Sequence, residues 1–475
     1  MYNVRGVRKW SVGVNSSAPA SRSTQTRILP VEVSRIGKFH FTGTDQSFLE
    51  DWDIELDKAA PSAAYLSTAA ENLRNSDVPV AFPTETVYGL GADATRSSAV
   101  LGIYKAKQRP ADNPLIVHVC SLAQLRSLLR PQNRLIATSL EHLKLSGTDS
   151  DPIPQIYHTL IRKFWPGPLT ILLPNPESSA LASEVTAGLP TFGARMPASL
   201  LGLALIKLAN VPIAAPSANA STKPSPTTAE HVLHDLNGRI DLILDGGPCN
   251  IGVESTVVDG LSSPPLILRP GGVSIDQLRE CPGWEDVQLG YKDASEQGMA
   301  PKAPGMKYKH YSPKAKVVLV EPSAGERSSE EAIWSYSTRS RVKSIGILRT
   351  KHWKSVVPEK VSTRRSDQKP ATGAVNVITN PSIKLLRSIQ PTFTQDTSAT
   401  QLEVRFSFQR KLEIWDIGLG QDPEDIARSL FAGLRELDLR NVDIIFVEGI
   451  HDGDRDATAA IMNRLRKAAE VEITT

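Results

Sequence analysis

Two hydroxyls and a carboxylate stand together at Thr84, Glu85 and Thr86, just past an apolar run from Val78 to Phe82. Open α/β sheets tend to hold their ligands at such strand ends. Gly89 and Gly91 follow, and then a helical pattern carries Lys105, Lys107 and Arg109 up to Pro110. Cations this close, stopped by a proline, are poor core material; they either complement the dipole of a solvated helix end or face an anion. Asn113-Pro114 leads into a second apolar run, Leu115 to Val119, which carries His118. With both runs as strands of one sheet, hydroxyls, cations and an imidazole face one crevice.

Further cations follow the same pattern. Lys107, Arg109, Arg195 and Arg269 each lie beside a strand end or turn, flanked by proline or glycine. Arginine suits planar, bidentate anion contacts better than lysine does. Taken singly, each also fits a surface ion pair worth under about 1 kcal/mol. The standard nucleotide signatures are absent. Gly89-x-Gly91 lacks the third glycine of a dinucleotide fingerprint, and Gly247 to Gly252 is followed by Val253 and Glu254 rather than Lys and Ser/Thr. A nucleotide, if bound, is held another way.

The wording of this stretch resembles the YrdC/Sua5 family, the threonylcarbamoyl-AMP synthases that begin N6-threonylcarbamoyladenosine modification of tRNA. The likeness continues in family order as FWPGPLT (164–170), FGARMP (192–197), APSANAS (215–221), GVESTVVDG (252–260), LRPGG (268–272) and PGMKYKHYSP (304–313). The resemblance implies that L-threonine is held by Thr86, His118, Arg195 and Ser255, with the Arg195 guanidinium meeting its carboxylate. It implies that ATP is held by Lys107, Arg109, Asn113, Thr191, Ser217, Asn219, Ser225, Arg269 and Tyr311. Bland alternatives stand beside these roles: Thr86 also fits a turn cap, His118 a satisfied core histidine, and Ser217 to Asn219 ordinary turn residues. Tyr311 lies far along the chain, so to reach ATP its segment must fold back as a lid that excludes water.

The implied reaction joins L-threonine, bicarbonate (or CO2) and ATP into threonylcarbamoyl-AMP and pyrophosphate, with no covalent protein intermediate. Magnesium is expected to arrive on the ATP phosphates, since the sequence offers no dedicated carboxylate cluster. The base for the threonine amine stays open between His118 and bicarbonate itself. Transfer to tRNA would fall to a separate threonylcarbamoyl transferase complex.

The elements that must position these residues read as two α/β units. From about 62 to 281 short apolar runs alternate with helix-period stretches, as expected for the family's twisted α/β domain with a concave face. Expected strands include Val78 to Phe82, Leu115 to Val119, Thr170 to Leu173, Ile213 to Ala215, Leu242 to Leu244, Thr256 to Val258 and Leu266 to Leu268. Expected helices include Leu122 to Leu129, Leu200 to Ala209 and Ala229 to Leu236. Residues 282–313 read as a linker. A smaller Rossmann-like Sua5 C-terminal domain follows over 314–475. Its stretch of about 355–408, rich in Ser, Thr, Gln and Pro, reads as a mobile insertion. Near the C-terminus AIMNRLRKAA (460–469) matches the family, but the glycine-containing approach is here Asp454 to Thr458. Arg464, Arg466 and Lys467 fit a cationic helix end, and less well an RNA contact.

Composition sets outer bounds. At 475 residues, 40% apolar and 22% charged, the chain has room for two or three domains and an ample core. No run reaches the ~18 apolar residues of a membrane helix, and the 3 cysteines form no CxxC pair. The formal charge of +3 is concentrated in a leader where Arg5, Arg8, Lys9, Arg22 and Arg27 precede the first acid, Glu32. Residues 1–45 therefore read as a disordered leader, either without an address or an organelle transit peptide that would add a mitochondrial pool to a cytoplasmic one. The remainder is slightly acidic, which weighs against the alternative of a double-stranded RNA or tRNA-binding module with no synthase activity. A carbamoyl-AMP-forming relative normally carries zinc fingers, for which the CxxC pairs are missing.

Overall fold

The computed structural model describes residues 25–41, 50–110, 112–130, 151–290, 310–324, 342–355, 400–405, 411–451 and 457–474. Strands are numbered in chain order. The first unit contains Arg27–Pro30 (β1), Gly37–Phe41 (β2), Trp52–Leu56 (β3), Val80–Pro83 (β4), Tyr88–Asp93 (β5), Ile116–His118 (β6) and Leu169–Pro174 (β7). It continues with Thr191–Arg195 (β8), Ile213–Ala214 (β9), Leu242–Asp245 (β10), Thr256–Asp259 (β11), Leu266–Arg269 (β12) and Gln288–Leu289 (β13). The second contains Lys316–Val320 (β14), Ser344–Arg349 (β15), Thr400–Arg405 (β16), Lys411–Gly418 (β17), Ile444–Glu448 (β18) and Val471–Ile473 (β19).

The fold is the expected α/β class. An 11-stranded mixed sheet runs in the order β1-β10-β4-β5-β9-β6-β8-β7-β11-β12-β13. Its central strands are short and buried on both faces: β4 is VAFP and β6 is IVH, with every residue buried. Helices cover them. LLGLALIKLA over Leu200–Ala209 is apolar almost all round; Ser199 caps its start by accepting from Gly202 N at 3.2 Å, and Asn210, at φ +52°, ends it in the left-handed region. The second sheet, β16-β17-β15-β18-β14-β19, is parallel except for the edge pair β16/β17. The helix Pro423–Leu439 packs on it, with Gly433 leaving room for Leu348 and Leu419. No helix among the described residues is long and apolar enough to cross a membrane.

Three of the expected boundaries shift. Residues 27–41, placed in a disordered leader, are built into the fold: β1 pairs in parallel with β10 over its whole length, and Thr26 Oγ1 donates to Ile240 O at 2.6 Å. Buried Leu29 and half-buried Ile28 suffice to dock so short an edge strand, too few to stand out from the Ser/Arg-rich residues before it. Residues 282–290, placed in the linker, belong to the first sheet, where β13 pairs with β12 and buried Trp284 donates Nε1 to Ile156 O at 2.9 Å. Residues 400–405, placed in the mobile insertion, form β16 against β17. Residues 1–24, 291–309, 356–399, 406–410 and 452–456, which carry the rest of the leader, linker, insertion and altered approach, lie outside the described residues.

Candidate active site

The Thr84–Val87 turn joins β4 to β5 and is tied internally by Thr84 Oγ1, which lies 2.8 Å from Thr86 Oγ1 and donates to Val87 O at 2.7 Å. The loop before β11 crosses it: Ile251 N donates to Glu85 O at 2.9 Å and Gly252 N to Thr86 O at 3.0 Å. β6 and β8 run parallel with His118 and Arg195 as register partners, so imidazole and guanidinium leave the sheet side by side. Arg269 ends β12 opposite Val257 of β11. These strand ends surround one crevice, lined by Thr86, Arg109, His118, Arg195, Ser217, Ser255, Arg269 and Tyr311 among the expected residues, with Glu254 and His310 in addition. Lys107, Asn113, Thr191, Asn219 and Ser225 are not part of that lining.

Arg195 is fully engaged in the crevice wall. Its Nη1 donates to Thr86 Oγ1 at 3.0 Å and its Nε to Gly167 O at 3.1 Å, while Nη2 pairs with the buried carboxylate of Glu85. Glu85 in turn accepts from Ala198 N at 3.0 Å. The guanidinium is thereby fixed in plane and direction before any ligand arrives. Glu85 was visible in the sequence only as one more polar group of the turn; its burial with Arg195 depends on contacts across 110 residues of chain. Ser255 Oγ lies 2.8 Å from Thr170 Oγ1 and accepts from Arg269 Nη2 at 3.1 Å.

His118 is buried, edge-on to Phe82, and its Nδ1 has no hydrogen-bond partner. Desolvation, helped by Arg195, lowers its pKa to about 3. Held neutral by burial, the imidazole is a hydrogen-bonding group of the crevice.

Lys107 turns inward. Its Nζ donates to Ser217 O, to Asn219 O at 2.6 Å and to Asn219 Oδ1 at 3.3 Å, and burial drives its pKa well below the ordinary lysine value. It fastens the 217–219 loop from beneath. Asn219 is spent likewise, its Nδ2 donating to Ala220 O and Lys223 O at 2.8 and 2.9 Å. Arg109 reaches the crevice while donating to Asn113 O and Pro114 O at 3.3 and 3.0 Å, and burial lowers its pKa to about 10. Asn113 Oδ1 is buried without a partner. Thr191 opens the strand that Arg195 closes, ~13 Å away by strand rise.

The second unit completes the crevice. Tyr311 and His310 line it, and Tyr311 stacks 5.2 Å from Phe431 of the helix Pro423–Leu439. His310 N donates to Lys467 O at 3.0 Å and Ser312 N to Thr222 O at 2.8 Å, so this short segment is stitched to both units. Val87 and Val253, from the two site loops, are buried in one cluster with Phe431, Ile461 and Leu465. The cationic helix end expected near the C-terminus holds for Arg466 and Lys467, which lie in the last turn, but not for Arg464. Arg464 is buried and donates from Nε to Glu254 Oε2 at 3.0 Å, Arg466 pairs with Glu321 at 2.9 Å, and Lys467 is partly buried. Burial alone would push the Glu254 carboxyl up, but Arg464 and Arg269 outweigh it and hold it at about 2.

At Gly252 the two units approach closely. At φ +82°, a Cβ there would lie 2.3 Å from Arg428 Cα and 2.6 Å from Ala427 O. Gly252→Ala is expected to cost about 1–3 kcal/mol and to make the junction more susceptible to proteolysis. Thermal melting and limited proteolysis read this directly, and an unchanged melting point with unchanged cleavage would contradict it.

The histidines give a pH dependence. Desolvation holds the imidazoles of His118, His231 and His310 at about 3, against an ordinary 6.5. Below pH 6.5 the unfolded chain binds protons that the folded chain refuses, so stability is complete above 6.5 and falls as pH drops toward 3. Each imidazole contributes up to ~1.4 kcal/mol per pH unit in that window. Urea midpoints at pH 7, 6 and 5 should fall progressively, and His231→Gln, remote from the crevice lining, should flatten the trend. Midpoints independent of pH over this range would contradict the assignment.

Comparison with known proteins agrees with this architecture. Residues 72–271 match the Sua5_yciO_yrdC family, described as "Telomere recombination", and residues 273–470 match Sua5_C, described as "Threonylcarbamoyl-AMP synthase, C-terminal domain". A threonylcarbamoyl-AMP synthase of Schizosaccharomyces pombe is 44% identical, with 86% of this chain and 88% of that protein covered. One of Bacillus subtilis is 38% identical, covering 88% and 97%. A crystal structure of Pyrococcus abyssi Sua5 complexed with L-threonine superimposes with a TM-score of 0.64 at 33% identity, covering 94% of this chain and 100% of that one. With both domain families matched in order and full-length relatives aligned across both units, the chain belongs to the two-domain Sua5 branch of the YrdC/Sua5 family.

Proposed function

We propose that this protein is a threonylcarbamoyl-AMP synthase, condensing L-threonine, bicarbonate (or CO2) and ATP into threonylcarbamoyl-AMP and pyrophosphate, with water as a further product when bicarbonate is the carbon source. The observation that carries the assignment to this crevice is the convergence of Thr86, His118 and Arg195, from a turn and two neighbouring strand ends, beside Arg109 and Arg269. The pre-set guanidinium of Arg195 suits the carboxylate of threonine, and Ser255 suits its polar groups. His118 Nδ1, buried without a partner, suits a hydrogen bond with the amino acid. Arg109, Ser217, Arg269 and Tyr311 suit the nucleotide, with Lys107, Asn219 and Ser225 supporting the loops that frame it.

The amine of threonine, once neutral, attacks the carbon of CO2, opening one C=O π bond and losing a proton to give a carbamate; from bicarbonate a C–O bond breaks as well and water leaves. A carbamate oxygen then attacks the α-phosphorus of ATP, and the bond to pyrophosphate breaks. Nothing in this sequence needs a covalent protein intermediate. The chain's part is to hold three reactants together, to offset anionic charge with fixed guanidinium groups and to keep water out under His310 and Tyr311. Magnesium enters as part of the ATP substrate; no group of three or more His, Cys, Asp or Glu among the described residues is arranged to hold a metal. The product is an activated mixed anhydride, so the next step is acyl transfer to an amine, here assigned to adenosine of tRNA by a separate transferase complex.

Purified protein given ATP, threonine and bicarbonate should yield a new adenylate on chromatography that disappears when any one of the three is omitted. AMP or ADP as the sole nucleotide product would refute the assignment.

A further inference from the structure

We propose that Arg464, contributed by the second unit, is a positioning residue of the crevice: by holding the Glu254 carboxylate it keeps Arg269 in place beside the nucleotide. This rests on the synthase reading. Arg464 does not line the crevice itself. Its Nε donates to Glu254 Oε2 at 3.0 Å, its Nη1 donates to Pro270 O, directly after Arg269, and its guanidinium carbon lies 5.8 Å from the centre of the Tyr311 ring. The other Glu254 oxygen accepts from Ser225 Oγ. One buried side chain thus touches or braces four groups around the nucleotide end of the crevice, across 210 residues of chain.

Charge explains why the brace matters. Glu254 lines a crevice meant for a polyanion, where a carboxylate is a liability unless neutralised. Arg269 is also electrostatically coupled to it, while its Nε and Nη2 donate to Ser255. With Arg464 removed, the buried carboxylate keeps Ser225 but loses its cationic partner, and Arg269 is the remaining arginine coupled to it. Capture of Arg269 would take that guanidinium from the phosphates and leave a negative wall facing ATP. Of the threonine end, Arg195, Thr86 and Glu85 share no hydrogen bond with Arg464 among the described residues, and Ser255, held by Arg269, is the link between the two ends.

The test is equilibrium binding of ATP and of L-threonine, measured separately by calorimetry, for wild type, Arg464→Met, Arg464→Lys and the double variant Glu254→Gln/Arg464→Met. Arg464→Met is expected to weaken ATP by about tenfold or more while threonine changes less than about threefold. Arg464→Lys should recover part of the loss by restoring the charge. The double variant should also recover, because it removes the orphaned carboxylate with its partner, and it keeps the test open if the single variant folds poorly. Equal weakening of both ligands without recovery in the double variant would make Arg464 merely structural and overturn the proposal, as would unaltered ATP binding. A wild-type protein that binds neither ligand would overturn the synthase reading itself, and this inference with it.

Discussion

Arg195→Ala is expected to raise the threonine requirement by roughly 30-fold to several-thousandfold, the cost of leaving a desolvated carboxylate without its partner, about 2–5 kcal/mol. The structure adds a second consequence. Because Arg195 is also the counter-ion of buried Glu85, the same substitution should destabilise the fold by about 3–5 kcal/mol. The two effects separate in Arg195→Ala/Glu85→Gln, where no buried charge is orphaned. Its unfolding midpoint should return toward wild type while the threonine dependence stays high. A folded Arg195→Ala protein with wild-type threonine dependence would remove Arg195 from substrate recognition.

Lys107→Met should behave differently from the loss of a simple phosphate ligand. The side chain satisfies Ser217 O and Asn219 O in a buried setting, and each acceptor left unpaired costs about 1–3 kcal/mol. The variant should therefore melt earlier even without nucleotide, and its ATP requirement should rise because the 217–219 loop loses its support. A residue that only meets phosphate in the complex would leave the ligand-free melting point alone. Unchanged ligand-free stability with impaired ATP use would put Lys107 on the phosphates instead.

Much of the fold was legible because its signals are local. The apolar runs at Thr170–Leu173, Leu242–Leu244 and Leu266–Leu268 became β7, β10 and β12, and the helices at Leu122–Leu129, Leu200–Ala209 and Ala229–Leu236 have the expected ends. Each of those helices follows a Ser or Thr cap that accepts from the first turn. Strand β5 was not legible, since YGLGAD carries two glycines that lower strand propensity. Gly91 is nevertheless required there: a Cβ would lie 2.8 Å from both Ile213 Cγ2 and Phe82 Cε1.

The crevice was legible as far as strand ends and motifs could carry it, and not where side chains reach across the chain. Thr86, His118, Arg195, Ser255 and Arg269 fall where the alternation of strands and turns puts them. The inward turn of Lys107 was hidden, because a lysine at a helix end usually reaches solvent and only the returning 217–219 loop buries it. Glu254 and Arg464 were hidden for a related reason. Each reads as a surface charge in its own segment, and only the docking of the helix Thr458–Ala468 against the first unit makes them a pair. Tyr311 is a case where the chemistry demanded a fold-back and the structure has it, with the backbone at φ +63°, in the left-handed region.

The central claim is that one crevice brings threonine, bicarbonate and ATP together, and pyrophosphate release tests it most directly. Purified wild-type protein should release pyrophosphate from ATP only when threonine and bicarbonate are both present, with Arg195→Ala/Glu85→Gln requiring far more threonine for the same rate. Release that proceeds without threonine, or a folded wild-type protein that releases none with all three present, would contradict the account.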